Sequence, residues 1–464
     1  MKKKILIYLY RNFSLRYLID TKMIDSLSKE YKIILLTKNI YVDYYKNNLN
    51  ENIEIIGYDW DKYEQLRKKS ILNRFLILVR KLSSGKKYEN NTTNKVREIQ
   101  YKYLLKKQKM FFYFCLLVSK FLNLSNYFRK IFNYLEKIYM NTKYFDNILN
   151  IYKPDAVFIG SCCIDHDAYI SVSAKKRNIK LASIIYSWDN PSTKGLAICK
   201  PDKVFSWNQV MSKDIENFYE IEKEYISECG ILHWSNYKDK LPSIDILNKN
   251  DTINISFFSS APSNFENSYS NLIDLLNYEN SKKKIKVIAR MHPGYFVDKK
   301  YSLENSELQK NIKKKFGNKI EFINPKITKL NNNSDFLMDL NEDLNDIKYI
   351  LSISDIVVTQ YSTILLEALI LKKSLINYST GTYRNTPYSK KKIFSLMHHL
   401  NFFLKYKLSK DIDSKNLLYY EIDEIIEKKP HTHNYEKFYL ENLSSTNENN
   451  ILTLRKGIDN FMNN

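Results

Sequence analysis

The feature that most constrains this chain is a pattern that occurs twice: short apolar runs alternating with helical runs across brief connections. The first part sets KKILIYLY, KIILLT (32–37) and IEIIGY (53–58) around the amphipathic SLRYLIDTKMIDSLSKE (14–30). It resumes with PDAVFIG (154–160), KLASIIYS (180–187) and DKVFSW (202–207). The second part starts afresh with INISFFSS, KIKVIARMHP, KIEFIN and DIVVTQ (355–360). Runs that are apolar along their whole length suit strands buried on both faces, and strands separated by helices pair in parallel. The expected fold class is α/β, with two Rossmann-like doubly wound domains.

From residue 61 to about 150 the period lengthens into ILNRFLILVRKL and MFFYFCLLVSKFLNLSNYFRKIFNYLEKIYM, read as a basic helical insertion in the first domain. The expected boundaries are 1–236 for that domain and 237–251 for a linker, where ILHWSNYKDKLPSIDILNKNDT loses any period. Residues 252–464 then form the second domain with its C-terminal helices, the last a candidate to cross back onto the first.

Of 464 residues 44% are apolar, enough for sizeable cores and too many for a disordered chain. The net charge of +22 is concentrated: residues 61–143 hold 20 Lys and Arg against five Asp and Glu. Such a block implies an anionic partner: acidic lipid headgroups, nucleic acid or a polyanionic substrate. Here the charge lies among aromatic and aliphatic stripes and no nucleic-acid module is recognised. An anionic membrane surface is therefore preferred to a specific nucleic acid. No run reaches the roughly 18–20 apolar residues of a spanning helix. MKKKILIYLYRNF is broken by Arg11 and reads as a first strand, not a leader. The five scattered cysteines, without a CxxC pair, argue against a disulfide scaffold or zinc site and fit a reducing cytosol.

Chemistry enters at SDIVVTQYSTILLEALILKKSLIN (354–377), read as a buried strand, a turn and a helix from Ser362. Ligands bind at such turns, where free backbone N–H groups and the helix dipole favour phosphate. Ser362 and Thr363 either add hydroxyl donors there or only cap the helix. Glu367 lies beyond the capping-box position of both. One turn after Thr363 and among apolar neighbours, it suits a vicinal diol such as a ribose. KVIARMHPGY (286–295) ends a strand in Arg290 and His292, two apart and so on one side of an extended chain, a pair that suits a diphosphate.

In the first half, SWDNPSTKG (187–195) offers Trp188, Asp189, Asn190 and Lys194, a mixture suited to a sugar or phosphate acceptor. An Asx turn accounts for part of that set. GSCCIDHDAY (160–169) places Asp165, His166 and Asp167 after a strand end. A carboxylate there suits the base that takes an acceptor's hydroxyl proton, or the start of a helix. Asp165 or Asp167 is preferred to Asp189. One histidine with two carboxylates is thin as a ligand set, and no metal is expected. Arg16, in RNFSLRYL after the first strand, is a candidate for an anionic acceptor. GxGxxG, Walker and GxSxG motifs do not occur, which leaves dehydrogenase, ATPase and hydrolase readings without support.

RMHP followed roughly 65 residues later by SDIVVTQYSTILLEALILKKSLI resembles the second domain of GT-B glycosyltransferases. The likeness is to the bacterial surface-polysaccharide and CDP-glycerol glycerophosphotransferase-like group, as is that of the WDNPSTKG loop. It implies that Tyr361, Ser362 and Thr363 line the donor phosphates and that Glu367 holds the ribose. It also implies that His292 with Arg290 supports the leaving diphosphate, and that no metal or other cofactor is required. Gln360 stands where the glycerophosphotransferase form usually has aspartate, a departure that counts against CDP-glycerol as donor. The implied activity is transfer of a sugar from a nucleotide donor to a lipid-linked or glycan acceptor, by a cytoplasmic enzyme on the inner membrane face. Polyol-phosphate transfer and nucleotide-sugar epimerisation are alternatives on the same fold. A basic nucleic-acid-binding protein is the alternative of another class.

Overall fold

The computed structural model describes residues 2–10, 18–19, 21–68, 70–85, 90–164, 166–234, 251–329, 336–338, 340–384, 386–428, 434–443 and 450–464. Arg16, Asp165 and all but the last residue of the expected linker lie outside the described residues. The chain divides into two compact units, Met1–Ser235 with Ser444–Asn464, and Asn236–Leu443.

The first unit is built on strands β1 (Lys4–Tyr8), β2 (Lys32–Lys38), β3 (Glu54–Tyr58), β4 (Ala156–Ile159), β5 (Lys180–Ile184), β6 (Lys203–Ser206) and β7 (Ile226–Glu228). Their order is β3-β2-β1-β4-β5-β6-β7, and every pairing is parallel. Ile5 of β1 lies opposite Ile33 on one side and Ala156 on the other. Ile5, Leu6 and Ile7 are buried, as residues of both parities must be when a strand is covered on its two faces. Winding reverses between β1 and β4, so the loops that follow them diverge and leave a crevice at the carboxyl edge.

The insertion contains α1 (Ile71–Lys81), α2 (Lys109–Leu124) and α3 (Asn126–Tyr139). Leu78, Val79 and Leu82 pack against Phe112, Cys115 and Leu122, which share one face of α2 by their spacing of three and seven. α3 is inverted relative to an ordinary surface helix. Its buried residues are Arg129 and Glu136, whereas Tyr127, Phe128, Ile131, Tyr134, Leu135 and Ile138 are exposed. Met110, Tyr113, Phe114, Leu117, Phe121 and Leu124 of α2 extend that exposed apolar surface. Part of the basic block is therefore internal. Arg80 of α1 donates to Glu136, to Asn133 Oδ1 (2.7 Å) and to the Leu196 carbonyl (3.2 Å), and Arg97 donates to the Ser192 carbonyl (2.8 Å). After β4 comes α4 (Asp167–Lys176), and after β6 comes α5 (Gln209–Tyr219).

The second unit repeats the plan with β8 (Thr252–Phe258), β9 (Lys284–Arg290), β10 (Ile320–Phe322), β13 (Ile356–Thr359), β14 (Ser374–Tyr378) and β15 (Lys410–Ile412) in the order β10-β9-β8-β13-β14-β15. The strands between, β11 (Ile327–Lys329) and β12 (Phe336–Met338), form a separate antiparallel pair. Phe257, Val287, Val358 and Ile376 of the sheet bury against Leu272, Leu275 and Leu418 from the helices. Each such side chain contributes about 1.5–3 kcal/mol. The switch here lies between β8 and β13, and α6 (Ile364–Ile370) follows β13 directly.

The helix α7 (Asn450–Asn463), the candidate to cross back onto the first domain, does pack with the first unit. Lys3 Nζ and Lys180 Nζ donate to the Met462 carbonyl, Tyr31 donates to Asp459 (2.7 Å), and Phe461 meets Phe158 edge-on.

Candidate active site

In the second unit the carboxyl edge of the sheet gathers the residues picked out by sequence. β13 ends at Thr359, and Gln360 and Tyr361 make the turn into α6. Tyr361 holds φ at +53°, a left-handed conformation that costs a residue with a Cβ about 1–2 kcal/mol. It is retained because the Tyr361 N–H donates to Asn377 Oδ1 (3.0 Å) and the ring stacks on Phe394 (5.0 Å). Ser362 Oγ lies 3.0 Å from Thr359 Oγ1 and accepts from the Ile364 N–H (3.3 Å). Its hydroxyl thus serves the turn as well as facing the edge. Thr363 precedes the first helical residue without a side-chain cap bond. Glu367 is 4% exposed, so it is not a solvated surface carboxylate.

Three buried polar atoms at this edge have no hydrogen-bond partner among the described residues: Gln360 Nε2, Tyr361 Oη and Ser379 Oγ. Gln360 Oε1, by contrast, accepts from the Ser260 N–H (3.2 Å) and from Ser268 Oγ (2.7 Å), which fixes the amide with its NH2 turned away from both. A buried polar group left unpaired costs about 1–3 kcal/mol. Gln360 and Tyr361 follow β13 at the topological switch point and Ser379 follows the neighbouring β14, which makes this edge a candidate place for a ligand.

His292 and Arg290 separate in role. Arg290 is buried, donates to the Ile323 carbonyl (3.0 Å) and lies 3.6 Å from Asp346 Oδ2, so its charge clamps the chain after β10. Of the expected pair, Arg290 is thus engaged with protein groups, and His292 differs from it in its partners. The His292 N–H donates to Ser259 Oγ (2.7 Å), while its Nδ1 accepts from the Gly294 N–H (3.0 Å). The neutral ring must then carry its hydrogen on Nε2. Desolvation by the surrounding protein pushes its pKa down to about 4, so at neutral pH His292 offers an uncharged N–H donor. Gly294 is required beside it, since a Cβ there would meet Pro262 Cδ at 2.8 Å.

Sequence reasoning missed several members of this edge. Asn377, at the end of β14, also donates to Asp411 Oδ1 (2.9 Å), whose carboxyl is pushed up to about 6 by burial. Lys390 is buried, donates to Asn267 and to the Thr380 carbonyl (3.2 Å), and is pushed down to about 8 by desolvation. Ser259 and Ser379 directly follow β8 and β14, and the paired serines of FFSS were a readable sign. A lone lysine in SKKK was not.

In the first unit, the loop after β4 carries Cys162 and Cys163 at φ of +59° and +67°. Asp167 holds that loop: its Oδ2 accepts from the Ser161 N–H (2.6 Å) and Ser161 Oγ (2.5 Å). At 4% exposure Asp167, one of the two carboxylates preferred as base, serves as a clasp of that loop. His166 is buried under Tyr10, the rings stacked 3.5 Å apart, with Nδ1 3.8 Å from Glu64 Oε1. After β5, Asp189 accepts from Ser187 Oγ and from Thr193 Oγ1 (2.8 Å), with Lys194 Nζ 3.9 Å from its Oδ2. Its side chain is 26% exposed, so of the described aspartates picked out by sequence it is the one solvent reaches. Trp188 is half-buried, and Asn190 is buried inside the turn, its carbonyl accepting from Tyr219 Oη (2.6 Å). Among the described residues no group of three His, Cys, Asp or Glu could hold a metal ion.

No protein-family model and no curated protein matches the chain. Solved structures do. A UDP-GlcNAc 2-epimerase from Neisseria meningitidis bound to UDP-GlcNAc superposes with a TM-score of 0.51 at 11% identity, covering 98% of this chain and 100% of that one. The glycotransferase of kitacinnamycin gives 0.52 at 7% identity over 100% of both chains. MurG of Acinetobacter baumannii gives 0.50 at 8% identity over 98% of this chain and 99% of that one. With two parallel doubly wound sheets and these neighbours, the chain has the GT-B fold.

Proposed function

We propose that the protein is a GT-B glycosyltransferase that moves a sugar from a nucleotide-activated donor to a lipid-linked acceptor in bacterial surface-polysaccharide synthesis. The observation that carries the reading is the carboxyl edge of the second sheet, where Gln360, Tyr361 and Ser379 have buried polar atoms without a partner among the described residues and the segments after β13 and β9 bring buried Glu367 and neutral His292. Glu367 takes the ribose diol. The His292 Nε2–H, the Gln360 amide and the Ser362 and Thr363 hydroxyls take the diphosphate. In transfer the bond from the sugar's anomeric carbon to the diphosphate oxygen breaks, and a bond to the acceptor oxygen forms. The acceptor's proton passes to a carboxylate, for which Asp189 is assigned. Fixed donors matter because negative charge grows on the departing diphosphate, and groups already oriented stabilise it without reorganising. The reaction is proposed to need no resident metal, so activity should persist in EDTA.

The outward aromatic face of α2 and α3 supports a membrane-bound acceptor over a soluble one. Apolar burial and nearby lysines, each worth ~1 kcal/mol against anionic lipid, act together there. The contact is proposed to be peripheral, on the cytoplasmic side; among the described residues no helix is long and apolar enough to cross a membrane. The burial of Arg80, Arg97 and Arg129 removes part of the charge that a nucleic acid would use.

Thermal-shift measurements with UDP, GDP, CDP, CMP and ADP test the donor site. One nucleotide at 100-fold its Kd should stabilise the wild type by ~2.7 kcal/mol and Glu367→Ala much less. No shift from any nucleotide would sink the reading. Epimerisation is the second reading, favoured by the likeness to an epimerase bound to UDP-GlcNAc. Conversion of UDP-GlcNAc to its C2 epimer without any acceptor would decide for it.

A further inference from the structure

The loop that carries Asp189 contains a single helical turn, Asn190–Thr193. The Asp189 carbonyl accepts from the Thr193 N–H (2.9 Å) and from Ser192 Oγ (3.2 Å), and Thr193 Oγ1 donates to its carboxylate. The place of the carboxylate is therefore set by this turn. A helix so short has no second turn to take up its carbonyls and little stability of its own.

The missing partners come from the basic insertion. Asn91 Nδ2 (3.0 Å) and Arg97 Nη2 (2.8 Å) both donate to the Ser192 carbonyl. Both side chains are buried, and Arg97 Nη1 is anchored on the carbonyl of Lys81, the last residue of α1. A cation at the carboxyl end of a helical turn also meets the negative end of its dipole. Just beyond the turn, Leu196 pairs with Arg80 in both directions: its N–H donates to the Arg80 carbonyl (3.1 Å), and Arg80 Nη1 donates to its own carbonyl (3.2 Å). The two segments come so close that only a glycine fits at 195, where φ is +92° and a Cβ would lie 2.2 Å from the Arg80 carbonyl oxygen. The Arg80 guanidinium reaches Glu136 and Asn133 of α3 as well. One side chain thus fastens both the Asp189 loop and the helix whose aromatic face points outward.

We propose that Arg97, with Arg80 beside it, is a positioning residue for the transfer, so that the insertion is part of the acceptor site as well as a membrane face. The inference rests on the reading of Asp189 as the base. Neither arginine touches the acceptor: each acts through the backbone of residues 192–196. Because Arg80 supports loop and α3 together, a lipid-linked acceptor meets Asp189 at a set distance from the membrane-facing helix.

The test compares the full chain as wild type, Arg97→Lys and Arg97→Met. Lysine keeps a cationic donor for the Ser192 carbonyl and methionine does not. Hydrogen exchange read by mass spectrometry should quicken on the order of tenfold in residues 187–196 of Arg97→Met, with the second unit unchanged, and Arg97→Lys should recover most of the protection. Turnover is followed as nucleotide release from UDP-, GDP- and CDP-sugars with a polyprenyl-diphosphate-linked sugar as acceptor. In Arg97→Met kcat should fall on the order of 10- to 100-fold, while the donor KM and sedimentation with anionic vesicles stay at wild-type values, and Arg97→Lys should again recover. A purely structural role would instead quicken exchange throughout the first unit and weaken vesicle binding with it. If Arg97→Met does not fold, Asn91→Ala removes the other donor to the same carbonyl and should show the same pattern. Exchange in 187–196 that is equal in all forms, or a kcat that does not change, would overturn the proposal. A wild type that releases no nucleotide, with exchange still faster in Arg97→Met, would sink the transferase reading and keep Arg97 as the support of the loop.

Discussion

His292 offers the sharpest perturbation. Its ring is held neutral, with a pKa pushed from 6.5 to about 4 by desolvation. A gap of roughly 2.5 in pKa is worth about 3 kcal/mol. The sign follows from which state binds the proton. Between pH 6.5 and 4 the unfolded chain takes a proton on this histidine and the folded chain does not, so stability falls as pH falls through that window. Asp411, pushed from 3.8 to about 6 by burial, acts oppositely. Between pH 6 and 4 the folded state protonates first, so stability rises as pH falls. The two nearly cancel in the wild type, and single variants expose them. His292→Asn keeps an acceptor for the Gly294 N–H, and its second unit should gain stability relative to wild type on acidification from pH 6.5 to 4. Asp411→Asn should lose it. Urea midpoints across that range read the effect. The ring itself can be followed by NMR of 13C-labelled histidine, since the chain has only seven. A His292 signal that titrates near 6.5 would refute the desolvated neutral ring. So would, in Asp411→Asn, a UDP-sugar affinity that strengthens as pH drops from 7 to 5.5, because the phosphates of the diester donor do not titrate there and the carboxyl of this edge pushed to about 6 is then absent.

Tyr361→Phe removes a buried hydroxyl that has no partner. It should raise the melting temperature, by about 1 kcal/mol of stability, while weakening nucleotide binding in calorimetry; unchanged affinity would remove Tyr361 from the donor site. Glu367→Gln keeps the volume and should weaken a ribonucleotide more than its 2′-deoxy analogue, so equal losses would argue against the diol contact. Asp167→Asn should cost about 1–3 kcal/mol by loosening the Ser161 clasp, whereas Asp189→Asn should leave the melting temperature within about 2 °C and cut kcat, and the reverse pattern would exchange their roles. Phe114→Ser with Tyr134→Ser should abolish sedimentation with anionic vesicles without changing nucleotide affinity.

The strands were legible because parallel strands buried on both faces read as unbroken apolar runs, as KILIY and IVVT do. The strand-to-helix turns followed from them, and with them Glu367 and His292. What escaped was set by contacts between distant segments. Nothing around Arg290 says that its charge is spent on Ile323 and Asp346, since those partners arrive from other parts of the chain. Asp167 and Asp189 are alike in sequence, each near a helix start, and only the Ser161 bonds make one a clasp. The polarity of α3 was visible as a stripe. Its inversion depends on buried partners, Arg80 for Glu136 and Glu220 for Arg129.

The first unit is discontinuous, for α7 is separated from the rest by residues 236–443. A ribosome adding roughly 5–20 residues per second needs on the order of 10–40 s to make that interval. Throughout it the surface around Phe158, Lys180 and Tyr31 stands without its covering helix, while the second unit, continuous in sequence, emerges whole. Birth order and folding order are thereby reversed: the segment made first is closed last. A nascent chain stalled before α7 should expose a sticky patch to holdase chaperones, and a supplied peptide of residues 450–463 should mask it.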